Sequence, residues 1–95
     1  MRVIGIESLV EFSKIHADSE APLGAWLQTA EEADWKHIID VRKVYPHADS
    51  VEGYTVFNIG GNKYRLITKI TYKVKIIKIE CVLTHSEYDE GKWKK

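Results

Sequence analysis

The sequence predicts an α+β fold, with amino-terminal helices packed on one face of an antiparallel sheet and a carboxyl-terminal three-stranded meander. Three observations predict it. Between Leu9 and Val41 apolar residues recur at intervals of three and four, the period of an amphipathic helix. From Tyr54 onward the chain turns to alternating Val, Ile, Thr, Tyr and Phe, the composition and period of strands. The order strand, helices, then three consecutive strands places the helices on one side of the sheet. The opposite sheet face is then expected to stand open.

Each element has its own signal. Residues 2–5 read as a short opening strand. Ser8 with Glu11 three positions on forms a capping-box pattern, which starts a helix running to about His16 with Leu9, Phe12 and Ile15 as its buried stripe. Residues 17–20 are a polar break. Pro22 suits the first turn of a second helix, in which Leu23, Trp26, Leu27 and Ala30 recur at helical spacing up to about Ala33. A third, shorter helical pattern lies between Trp35 and Val44 and is closed by Pro46. Three strands follow at residues 54–58, 64–72 and 74–84. Gly60 and Gly61 between the first two supply the positive φ of a tight hairpin. In the last strand, alternation puts Lys75, Ile77, Ile79, Cys81 and Leu83 on one face, the one expected under the helices. Residues 86–95 form a polar closing segment whose only large apolar groups are Tyr88 and Trp93. Trp26 and Trp35 read as helix-packing residues and Cys81 as a small core group.

Composition bounds the rest. At 95 residues the chain fits one small domain spanning 1–95. With 44% hydrophobic and 11% aromatic residues, one core is feasible without staples. The single cysteine forms no internal disulfide and no multi-cysteine zinc site, which fits a reducing, cytoplasmic setting. The apolar run after Arg2 is too short for a leader or a membrane span. The net charge of zero hides a split: residues 1–50 hold five basic and nine acidic side chains, and residues 51–95 the reverse. The second half therefore suits a polyanion, or else its lysines simply solvate strands and discourage edge pairing.

Nucleotide-binding glycine loops, a GxSxG elbow and metal-binding histidine spacing are all missing, so no cofactor and no metal are expected. One constellation has chemical content. Asn62, Lys63 and Arg65 open a strand, while His85, Tyr88, Asp89, Lys92 and Trp93 follow the end of the next. In an antiparallel meander those two places meet, bringing Arg65 and His85 toward each other. Metal-free RNA cleavage needs a base for the 2′-hydroxyl, a cation for the phosphorane and an acid for the departing 5′-oxygen. An aromatic ring would hold the unstacked base. The alternatives are structural: His85 ending a strand, Tyr88 anchoring the tail.

The stretch YTVFNIGGNKYRLI at residues 54–67, followed by THSEYD at 84–89, resembles the HigB family of toxins from bacterial type II toxin-antitoxin systems. The resemblance extends upstream through Ala25-Trp26-Leu27, Ala33-Asp34-Trp35-Lys36 and the run from Val44 to Asp49. It implies a RelE-like fold and an mRNA interferase that cuts mRNA on the translating ribosome. It also implies silencing by a HigA-like helix-turn-helix antitoxin. Carried over by position, Arg65, His85 and Tyr88 are the catalytic candidates and Asn62, Lys63 and Lys92 the RNA-binding ones. A different class of function, a non-catalytic RNA- or ribosome-binding module, would use the same basic strands for backbone contacts alone.

Overall fold

The computed structural model describes residues 1–94. Two glycines with φ of +62° and +70°, Gly60 and Gly61, reverse the chain between β3 (Tyr54–Ile59) and β4 (Tyr64–Thr71). A turn of 3-10 helix at Tyr72–Val74, closed by Lys75 in the left-handed region, reverses it again into β5 (Ile76–Thr84). This is the expected meander. A short strand, β2 (Asp49–Val51), adds antiparallel to β3. It carries no alternating apolar run, so the sequence gives no strand signal there. The opening strand β1 (Arg2–Ile4) lies parallel to β5, giving a five-stranded sheet of order β1-β5-β4-β3-β2. The sheet is therefore mixed, not antiparallel. The hairpins use β4 and the inner side of β5, so β1 reaches the remaining edge through the helices, and such a crossover makes the pair parallel.

Between β1 and β2 lie α1 (Glu7–Ile15), a 3-10 turn (Ala17–Ser19), α2 (Glu20–Glu32) and α3 (Ile38–Val44). The expected Ser8–Glu11 capping box does not form. Helix α1 begins two residues earlier, behind Ile6, and the Ser8 N–H donates to the Gly5 carbonyl at 3.1 Å. Ile15 is 80% exposed, whereas Leu9 is buried. Each three-residue step turns a helix by about 300°, so Ile15 lies about 120° around from Leu9. Phe12 instead stacks on His16 and meets the Tyr64 ring edge-on. Leu23, Trp26 and Ala30 of α2 join Val41, Phe57, Leu66 and Ile77 in the core, with Trp35 close by.

One irregularity rephases β5. Ile67 faces Cys81 but Thr68 faces Ile79, which leaves Glu80 bulged with no residue opposite. Ile77 and Ile79 point at the helices as alternation predicts. Beyond the bulge it is Val82 that enters the core, while Cys81 and Leu83 share the other face with Ile67 and Arg65. That other face is not open. A fourth helix, α4 (His85–Glu90), lies within the segment expected to be merely polar and packs over β4 and β5. Val56 and Ile67, on the face away from α1 and α2, are as buried as core residues.

Candidate active site

The β3–β4 hairpin builds the first half of the site. Arg65 sits opposite Asn58, one residue pair inside the turn. Its Nη2 donates to Asn62 Oδ1 at 2.6 Å, and its Nη1 to the carbonyls of Asn62 and Tyr64 at 3.3 and 3.2 Å. The side chain is buried, not the exposed strand charge expected of an open face. Among the described residues three of its five N–H donors are engaged, and two remain for a ligand. A fork held in this way gives up little freedom when it meets an oxyanion.

Helix α4 builds the second half. Thr84 accepts the Glu87 N–H at 3.2 Å while Glu87 Oε1 accepts the Thr84 N–H at 2.9 Å, a reciprocal cap that starts the helix at the end of β5. The His85 N–H then donates to the Lys63 carbonyl at 2.9 Å, which ties the helix start to the hairpin. His85 Nδ1 lies 2.9 Å from Asp89 Oδ2, one helical turn on. A carboxylate only accepts, so Nδ1 carries the hydrogen and the neutral ring presents Nε2 as its basic nitrogen. Tyr88 lies under the Arg65 guanidinium, 5.5 Å from carbon to ring centroid. Burial, with help from the Asp49 carboxylate and against Arg65, raises its phenol above the usual value, so the hydroxyl remains a donor.

The structure thus brings Asn62, Arg65 and Tyr88 into contact and ties His85 to the same hairpin through the backbone. Lys63 behaves differently. Its ammonium pairs with Asp18 of the 3-10 turn on the helix side, where Tyr64 Oη also donates to Asp18 at 2.6 Å. These contacts hold the Asp18 carboxyl below its ordinary range and raise both Lys63 and Tyr64. Lys92 is exposed and lies 4.0 Å from Glu90.

Trp93, named in the sequence constellation, stacks on Tyr88 with centroids 5.3 Å apart and donates Nε1–H to the Tyr88 carbonyl. Other residues facing the site were not expected there. Tyr54 meets Trp93 edge-on at 5.7 Å, and Lys69 lies over the Tyr54 ring at 5.6 Å. An unbroken run of rings, Tyr88–Trp93–Tyr54, therefore joins Arg65 to Lys69 across the sheet. Beside the turn, His47, Asn58, Gly61 and Asn62 line an open cleft of about 660 Å³. Asn58 was within reach of the sequence, because counting outward from the two glycines sets it against Arg65. His47 was not, since only β2 brings its loop there.

A mixed five-stranded sheet with two helices behind it, and a pinned arginine and a histidine-bearing helix in front, is the architecture of a small RelE-like toxin. Within that class the chain belongs to the HigB toxin family, the RelE-like toxic component of a toxin-antitoxin system, whose model matches residues 19–91. It is 26% identical over 92 residues to the mRNA interferase toxin HigB of Escherichia coli strain K12, an alignment covering 94% of this chain and 88% of that one. The mRNA interferase HigB proteins of Escherichia coli O157:H7 and Shigella flexneri align with the same identity and coverage.

Proposed function

We propose that this chain is an endoribonuclease toxin that cleaves mRNA without a metal on the translating ribosome, in the cytoplasm, and is neutralised by a HigA-like helix-turn-helix antitoxin. The observation that carries the reading is the Arg65 guanidinium, buried, anchored by Asn62 and laid on Tyr88 with two donors to spare. The family and the printed activity of the three relatives support it.

In the proposed mechanism His85, oriented by Asp89, takes the proton from the 2′-hydroxyl through Nε2. The 2′-oxygen attacks the adjacent phosphorus, and Arg65 neutralises the charge that grows on the phosphorane oxygens. Tyr88, kept protonated by burial and by Asp49, donates to the departing 5′-oxygen or orients the attacked phosphate. The products are a 2′,3′-cyclic phosphate and a free 5′-hydroxyl. Asn62 positions Arg65. Lys63 binds phosphate by giving up Asp18, a surface pair that costs little to break. Lys92 contributes an exposed charge at the margin.

Single-turnover cleavage of mRNA on programmed ribosomes tests the reading. Arg65→Ala should slow the step roughly 10²- to 10³-fold once binding is saturated, as loss of one oxyanion donor does. Wild-type protein stripped with EDTA and desalted before it meets the ribosomes should cleave at an unchanged rate. An Arg65→Ala variant that cuts at the wild-type rate under saturation would refute the catalytic assignment of Arg65, whereas wild-type protein that binds programmed ribosomes without cutting would leave the non-catalytic binding module standing.

A further inference from the structure

Beyond the Arg65 cluster the same sheet face holds a second hollow, of about 230 Å³, lined by Tyr54, Ile67, Glu80, Cys81, Lys92 and Trp93. Its chemistry differs from that of a phosphate site. Ile67 and Cys81 face each other across β4 and β5 and present an apolar floor. Tyr54 and Trp93, in edge contact, supply aromatic walls. Among the described residues the hollow's charged groups are one carboxylate, Glu80, and one ammonium, Lys92, beside the Tyr54 hydroxyl. A carboxylate repels a phosphate, so on a face that meets RNA the Glu80 oxygen left over by its Lys78 pair suits a base edge rather than the backbone. The β-bulge puts it there. With no residue opposite, Glu80 leaves the strict alternation of β5 and turns to the rim of the hollow, where its Oε2 lies 3.4 Å from the Lys78 ammonium.

We infer that this hollow is a nucleobase pocket selective for guanine, reading a nucleotide that flanks the one cut at Arg65; the inference rests on the RNA-cleaving role proposed above. Apolar floor and aromatic walls accept the flat faces of any base. Selection comes from the rim. A carboxylate with two oxygens accepts two neighbouring N–H donors, and guanine alone offers such a pair, at N1 and N2. A lysine ammonium in turn suits guanine O6 and N7. Inosine keeps N1–H but lacks the N2 amino group, and uracil lacks the amino group altogether. The run of rings from Tyr88 through Trp93 to Tyr54 makes the pocket continuous with the Arg65 cluster, so one single strand can occupy both.

Tryptophan fluorescence reads the pocket directly, because Trp26 and Trp35 are buried in the core and Trp93 is the indole on this face. The full chain is titrated with short oligouridylates carrying one guanosine, one inosine or no purine. Guanosine should quench with an affinity roughly tenfold above inosine, and Trp93→Phe should abolish the signal. Glu80→Gln should bring guanosine down to the inosine level, and Lys92→Ala should weaken guanosine more than uridine. Equal affinities for guanosine and inosine in the wild type, or a preference that persists in Glu80→Gln, would overturn the pocket. Cleavage on ribosomes by the same preparation separates the two proposals. Intact cleavage with no guanosine preference refutes the pocket alone, whereas guanosine preference without cleavage upholds the pocket and refutes the nuclease.

Discussion

Replacing Asn62 by aspartate should move stability and activity in opposite directions. Asn62 Oδ1 accepts from Arg65 Nη2 at 2.6 Å, so Asn62→Asp keeps the geometry and turns a neutral acceptor into a charged one. The arginine is already charged, so the gain is that of completing an ion pair at the surface, about 1 kcal/mol or less. Asn62 itself is solvent-exposed, which makes that figure a ceiling and the expected rise in Tm at most about 4–8 °C for a domain of this size. The cost falls on catalysis. A phosphate on the far side of the guanidinium would sit about 7 Å from the new carboxylate, giving a repulsion of about 0.6 kcal/mol at the dielectric of water and about 2.4 at an effective value of 20. That range corresponds to roughly 3- to 60-fold in rate. Asn62→Ala supplies the control, because it should slow cleavage while lowering Tm. The assay pairs thermal unfolding with single-turnover cleavage at saturating protein. An aspartate variant that unfolds earlier than wild type yet cleaves as fast would refute the assignment of Asn62 as the residue that positions a catalytic arginine.

Three further outcomes are expected. Asp18→Asn should flatten the acid limb of the stability curve: the depressed carboxyl stabilises the fold above the unfolded-chain pKa of about 3.9 and loses that contribution as pH falls through its lower native value, which urea unfolding between pH 2 and pH 6 would resolve. Gly5→Ala should destabilise by more than the ~1–2 kcal/mol of a left-handed residue, because φ is +87° and the added Cβ would lie 2.9 Å from the Ile79 carbonyl; chemical denaturation measures it. Thr84→Ala should cost about 1 kcal/mol through loss of the reciprocal cap, and hydrogen exchange should show faster opening in α4 than in β3 and β4.

The elements that carry a strong local code were legible from the sequence alone. Gly60 and Gly61 located the hairpin and so the Arg65 side of the site, and the period of Leu23, Trp26 and Ala30 located α2 and its buried face. The pairing of β1 was not legible, since an isolated strand of three residues states no partner. Helix α4 did carry a signal, Thr84 followed by Glu87, but its six residues lack the apolar stripe that marks longer helices. Its covering of the sheet is what makes Arg65 buried and Trp93 ordered against Tyr88, and neither follows from local sequence. Lys63 shows the reverse limit. Its position beside the glycines suggested phosphate, whereas its resting partner, Asp18, lies 45 residues away.

The displaced residue in β5 also changes how substitutions along that strand should be tolerated. In a regular strand the positions that resist polar replacement share one parity. Here they are odd up to Ile79 and even from Val82 onward, so a saturation scan should show the parity change at Glu80. Deleting Glu80 would restore uniform parity while leaving Val82 toward the core and Cys81 toward Ile67. Inserting or deleting a residue elsewhere in β5 would instead turn everything beyond it to the opposite face, so length changes in this strand should be tolerated at the bulge and nowhere else.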